Sequence, residues 1–158
     1  MYRKLIWIAL ATVFIACGGK QEKKDAIEVN SSKTEVNEEP ETSGVPVDMD
    51  NKGIGPIKEL TFDSEINQEL AAKGEATFNM ICTACHMPDQ RMIGPAMTGI
   101  YERRSPEWVM NMLLNPGEML DKDPIAKALL KEYNNMVMTN QNLSEQDARE
   151  IAEYLRSL

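Results

Sequence analysis

Three side chains stand close enough along the chain to act together: Cys82, Cys85 and His86, in the run Cys82-Thr83-Ala84-Cys85-His86. Two thiols at this spacing can each add to one vinyl group of haem, and the imidazole that follows then lies under the iron as its proximal ligand. Two other chemistries use cysteines so spaced. A disulfide-exchanging pair belongs near a strand-to-helix junction in a βαβ pattern, whereas this chain has helical periodicity and almost no alternating strand signal. A structural zinc site wants four nitrogen or sulfur ligands. Apart from Cys17, at the end of an N-terminal apolar run, the chain has only these two cysteines and this one histidine. One covalently attached haem c is the cofactor the motif predicts.

With His86 the only histidine, a two-histidine iron within the monomer is excluded. Methionine, lysine or an open position remains. The chain has 11 methionines, and this flexible side chain packs well around irregular groups, so each is first a packing residue. Met138 stands out by position, in the irregular run Asn134-Asn135-Met136-Val137-Met138-Thr139-Asn140, five residues before Leu143 and the last helix. Such a loop can fold its methionine over the face opposite His86. Met136 competes with it, and Met92, Met97, Met110, Met112 and Met119 are further alternatives. Arg103, Arg104 and Trp108 are candidates for a haem propionate, through guanidinium or indole N–H. Against that, arginines ahead of a helix more often face solvent, and tryptophan is more often a core residue.

The elements that must position these residues are helices. The spacing of Ile66, Leu70, Ala71, Gly74, Phe78 and Ile81 predicts a helix over 64–80, capped by Asp63 or Ser64, that delivers the motif. Gly74 costs about 1 kcal/mol inside a helix, so it implies close approach by another helix. A second helix starts at Ser105 with Pro106 in its first turn and stops at Asn115-Pro116-Gly117. A third covers about 123–133 with Asp123 as cap, and the last starts at Ser144, with Asp147 completing a short capping box. The fold class is all-α, about four to five helices around one covalently bound haem.

Residues 1–17 have the layout of an export signal: Arg3 and Lys4, an apolar run, then Ile15-Ala16-Cys17-Gly18. The apolar run is too short to span a bilayer, which takes roughly 20 residues, and the junction resembles a lipoprotein cleavage box that makes Cys17 a lipidated N-terminus. Residues 18–58, rich in Glu, Lys, Ser, Asn, Gly and Pro, are expected to be a disordered polar tether, and 59–158 the folded domain. Losing Arg3 and Lys4 with the leader moves the formal charge from -8 to about -10. So acidic a chain is a poor nucleic-acid binder.

The stretch 60–158 is similar to a class I single-haem c-type cytochrome of the small exported kind. Gly74 and Phe78 match that family's first helix, and Tyr154-Leu155 the aromatic and aliphatic pair of the last helix that crosses it. Gly94-Pro95 matches the turn whose proline carbonyl accepts the proximal histidine's ring N–H, and the run from Met138 to Ser144 resembles the distal-methionine loop, with Thr139 where proline is commonest. The resemblance implies a non-enzymatic carrier of single electrons with His86 and Met138 on the iron, working as a monomer with redox-protein partners. The leader adds a lipid anchor on the periplasmic or outer-surface side of a bacterial membrane. The alternatives are an electron-entry subunit of a respiratory oxidase or nitrogen-oxide reductase, and a haem sensor or peroxidase-like protein with an open sixth position.

Overall fold

The computed structural model describes residues 44–158; the leader, Cys17 and the tether as far as residue 43 lie outside the described residues. Within them run five α-helices, α1 (Gln68–Ile81), α2 (Pro106–Leu114), α3 (Pro116–Lys122), α4 (Pro124–Glu132) and α5 (Glu145–Leu155), with a 3-10 turn at Ile100–Glu102. The all-α expectation is met. Among the described residues no strand forms, only an isolated parallel bridge between Asp48 and Arg104.

Local chemistry sets most of the helix starts. Ser105 caps α2 by accepting from the Trp108 amide at 3.1 Å, and Asp123 caps α4 by accepting from Ala126 N at 2.8 Å. Ser144 and Asp147 make the reciprocal box at α5, with Asp147 N donating to Ser144 Oγ and Ser144 N to Asp147 Oδ2. Pro106, Pro116 and Pro124 each occupy a first turn, where the missing N–H costs nothing.

Three boundaries depart from expectation. α1 starts later than residue 64, because Asn67, not Asp63 or Ser64, caps it by accepting from Glu69 N and Leu70 N. The preceding residues are held elsewhere: the Arg156 guanidinium takes the carbonyls of Asp63 and Glu65, and Glu153 Oε1 takes the Asn67 amide at 2.8 Å. Asn115-Pro116-Gly117 does end α2, but it also opens the 7-residue helix α3. The third departure is the tether. Residues 44–58 lie on the domain instead of continuing a free linker, with Val45 buried and Ile54 and Ile57 packed against the core. Short-range composition reads this stretch as polar; the side chains that hold it lie more than 50 residues further on.

The centre of the fold is the crossing of α1 and α5. A Cβ at Gly74 would stand 2.0 Å from the Glu150 carbonyl oxygen, so only glycine allows the two backbones to approach this closely. One turn on, the Phe78 and Tyr154 rings meet at 5.4 Å. Beneath the crossing, the Phe62 ring lies against Tyr101 and the guanidinium groups of Arg149 and Arg156. α1 thus has a fixed exit point for the motif that follows it.

Candidate cofactor site

Where α1 ends, the chain keeps turning. The amides of Cys85 and His86 both donate to the Cys82 carbonyl, at 3.0 and 2.9 Å, which sets the two thiols one turn apart with the imidazole beside them. Cys82 and Cys85 form no disulfide with each other. Burial, with a smaller contribution from Cys85, pushes the Cys82 thiol up to about 11. Among the described residues, no three His, Cys, Asp or Glu side chains gather as a metal-binding group, so the zinc alternative gains no fourth ligand.

The loop after the motif folds back on it. Gly94 N donates to the Cys85 carbonyl at 2.8 Å, and His86 Nδ1 lies 3.0 Å from the Pro95 carbonyl oxygen. A carbonyl can only accept, so Nδ1 is the donor of this pair, and Nε2 is the ring nitrogen left to bind a metal. Gly94 is the cradle for this ring: a Cβ there would come within 2.4 Å of His86 Cε1.

Cys82, Cys85, His86 and Pro95 line a cavity of about 1190 Å³, above the roughly 300–1,000 Å³ usual for small-molecule sites. Its walls include Phe78, Val109, Leu113, Ile151 and Leu155. A large apolar cavity, an imidazole whose Nε2 is not taken by the Pro95 bond, and two cysteines at its edge fit a covalently attached haem.

The methionines sort by place. Met138 lines the cavity and packs against the buried core, while Met136 lines it but is 55 % exposed. Met97 and Met112 also line it; Met97 lies on the Pro95 loop, and Met112 on α2. Met92, Met110 and Met119 are outside the lining, and the Met119 sulfur accepts from the Ile54 amide. The loop that carries Met138 is framed by left-handed corners at Asn134, Asn135 and Asn142, a conformation that asparagine tolerates better than most residues. Thr139, in the position where proline is commonest, accepts from the Gln141 amide through both its carbonyl and its hydroxyl.

Arg103, Arg104 and Trp108 all line the cavity. Arg103 donates to the carbonyls of Thr98 and Ala96. Arg104, only 3 % exposed, donates to the Pro46 and Arg103 carbonyls, and burial followed by repulsion from Arg103 lowers its affinity for the proton. Trp108 corrects the expectation: its indole N–H donates to Asp123 Oδ1 at 3.1 Å and is not free for a propionate. The same carboxylate caps α4 and accepts from Asn51, which the linear sequence does not reveal. Also absent from the sequence reading are Val45 and Val47, which line the cavity from far upstream. Glu107, Asn111 and Asn115, polar residues four apart on a largely apolar stretch, were the signal that something packs there.

The sequence model of the cytochrome c family matches residues 71–158. A cytochrome c2 from Rhodopseudomonas palustris is 30% identical over 112 residues, which cover 56% of this chain and 97% of that protein. Among solved structures, a cytochrome c from Rhodothermus marinus is 46% identical with a TM-score of 0.63, covering 65% of this chain and 88% of that one. An engineered form of the Rhodothermus marinus protein, bound to a carbene intermediate, is 45% identical with a TM-score of 0.60 over the same shares.

Proposed function

The chain belongs to the cytochrome c family and is a haem-based electron carrier with one covalently attached haem c; from that premise we propose a membrane-tethered carrier whose ring is bound by Cys82 and Cys85 and whose iron is held by His86 and Met138. The bond from His86 Nδ1 to the Pro95 carbonyl carries this reading, because it fixes the tautomer that leaves Nε2 as a ligand. Haem held by His86 and Met138 would supply a one-electron couple, and a thioether with an imidazole as its ligands would give it a higher potential than two imidazoles.

The remaining work falls to the chain. Gly94 lets the ring of His86 sit against the loop, and the walls offer a largely apolar surface to a ring system. Met138, half-buried and backed by the core, is better supported than the exposed Met136. Arg103 and Arg104 bring positive charge to the lining and suit an acidic ring substituent. Redox proteins are the partners. The leader and Cys17 support lipid anchoring of a monomer on the periplasmic or outer face of a bacterial membrane, with the stretch after Cys17 as tether. Among the described residues, no helix is long and apolar enough to cross a membrane.

The test is the protein made in a host competent for haem attachment. Its colour should stay with the chain through acid-acetone extraction, and its ferrous form should resist carbon monoxide at neutral pH. Extractable colour would refute covalent attachment through Cys82 and Cys85. Rapid carbon monoxide binding would replace Met138 with an open sixth position and turn the reading toward a sensor or peroxidase-like protein.

A further inference from the structure

The family match begins at residue 71, yet a wall of the cavity comes from well before it. Gly44, Val45 and Val47 line the cavity; Val45 is 7 % exposed and belongs to the same buried cluster as Phe78, Trp108 and Val109. We propose that residues 44–58 are a strap that completes the cofactor crevice, with Val45 closing its apolar wall and the Pro46 carbonyl steadying Arg104. The proposal rests on the reading of this cavity as the haem site.

The way the strap is fastened shows that it is built into the fold. Asn111, fully buried on α2, directs its whole amide at the strap: Nδ2 donates to the Lys52 and Ile57 carbonyls at 2.9 and 2.8 Å, and Oδ1 accepts from Ile57 N at 3.0 Å. One turn to either side, Glu107 accepts from Leu60 N and pairs with Lys52, and Asn115 donates to the Ile54 carbonyl. Ser105 donates to the Asn51 carbonyl at 2.7 Å, and Asn51 reaches Asp123 at 2.7 Å. The strap lies close enough to need glycine twice: Gly53 has φ +73° with Met119 2.9 Å from where a Cβ would be, and a Cβ at Gly55 would be 2.3 Å from Asn111 Oδ1.

Lifting the strap would therefore exchange the three hydrogen bonds of the Asn111 amide for bonds to water, a net loss. The same movement would take Val45 from the cavity wall and a carbonyl from the buried Arg104 guanidinium. Water and small ligands would then reach a space the remaining helices cannot seal. The strap thus protects the iron's environment from a distance in sequence, as a positioning element that never enters the ligand set.

The test compares full-length ferric haem proteins for the rate at which cyanide binds. Val45→Ala removes two buried methyl groups and should raise that rate about tenfold, while the attached-haem spectrum persists. Asn111→Ala, outside the cavity lining, should raise it as well by loosening the strap. Tyr101→Phe, which removes a hydrogen bond to the Ala152 carbonyl away from the strap, should leave the rate unchanged. An unaltered rate in Val45→Ala, or an equal rise in Tyr101→Phe, overturns the proposal. Should Val45→Ala fail to fold, the contrast between Asn111→Ala and Tyr101→Phe decides by the same criterion. A chain without covalent haem would refute the cofactor reading itself, a different result from haem protein whose cyanide rate ignores the strap.

Discussion

Met138 occupies a loop whose corners are left-handed asparagines, and its side chain rests on the core while its neighbours Met136 and Val137 are exposed. This half-buried placement is what favours Met138 over Met136 as the proposed iron ligand. Met138→Ala should abolish the methionine-to-iron charge-transfer absorption of the ferric protein while the haem stays attached; a persistent band would move the ligand to Met136. His86 shows what is readable at this scale: the motif, and the resemblance that pairs it with Pro95, name both partners of the 3.0 Å bond. Trp108 shows what is not. Its indole hydrogen was available to a propionate until the fold brought up Asp123, 15 residues later.

A buried carboxylate on α5 ties the start of α1 to the last helix. Glu153 of α5 is 1 % exposed and accepts from the Asn67 amide, while Arg149 and Arg156 pair with it. Burial alone would raise its pKa, but the Asn67 N–H and the two guanidinium groups together hold the carboxyl below its ordinary value. The folded state therefore binds this proton less readily than the unfolded chain does. Its stabilisation is complete above the ordinary glutamate range and is lost as pH falls through the lowered value. Glu153→Gln should cost about 2 kcal/mol at pH 7, the scale of a hydrogen bond to a charged group, and the cost should shrink toward pH 3. Urea midpoints of both proteins at the two pH values check this; a constant difference would remove the charge from the explanation. Helix starts at Ser105, Asp123 and Ser144 are legible because a cap is a local event within three residues. The start of α1 is not, since its preceding carbonyls are claimed by Arg156, about 90 residues away.

At the scale of the whole molecule, the helices and residues 44–58 line a large, mostly apolar cavity. Without haem, the apolar side chains that line about 1190 Å³ would face water, at a cost of about 25 cal/mol per Å² of apolar surface left exposed. Replacing Cys82 and Cys85 together by alanine should thus give a chain without haem that lacks most of its far-ultraviolet helical signal, and retained native helicity would show that the fold stands without its cofactor. By itself the sequence determined the cofactor motif, the all-α class and the capped starts of α2, α4 and α5, because each depends on residues within a few positions of one another. Only the tertiary structure decided that residues 44–58 belong to the domain, that Asp123 takes the indole hydrogen of Trp108, and that Val45 lines the crevice. Those outcomes join groups far apart along the chain, and their partners exist only once α2, α3 and α4 have packed together.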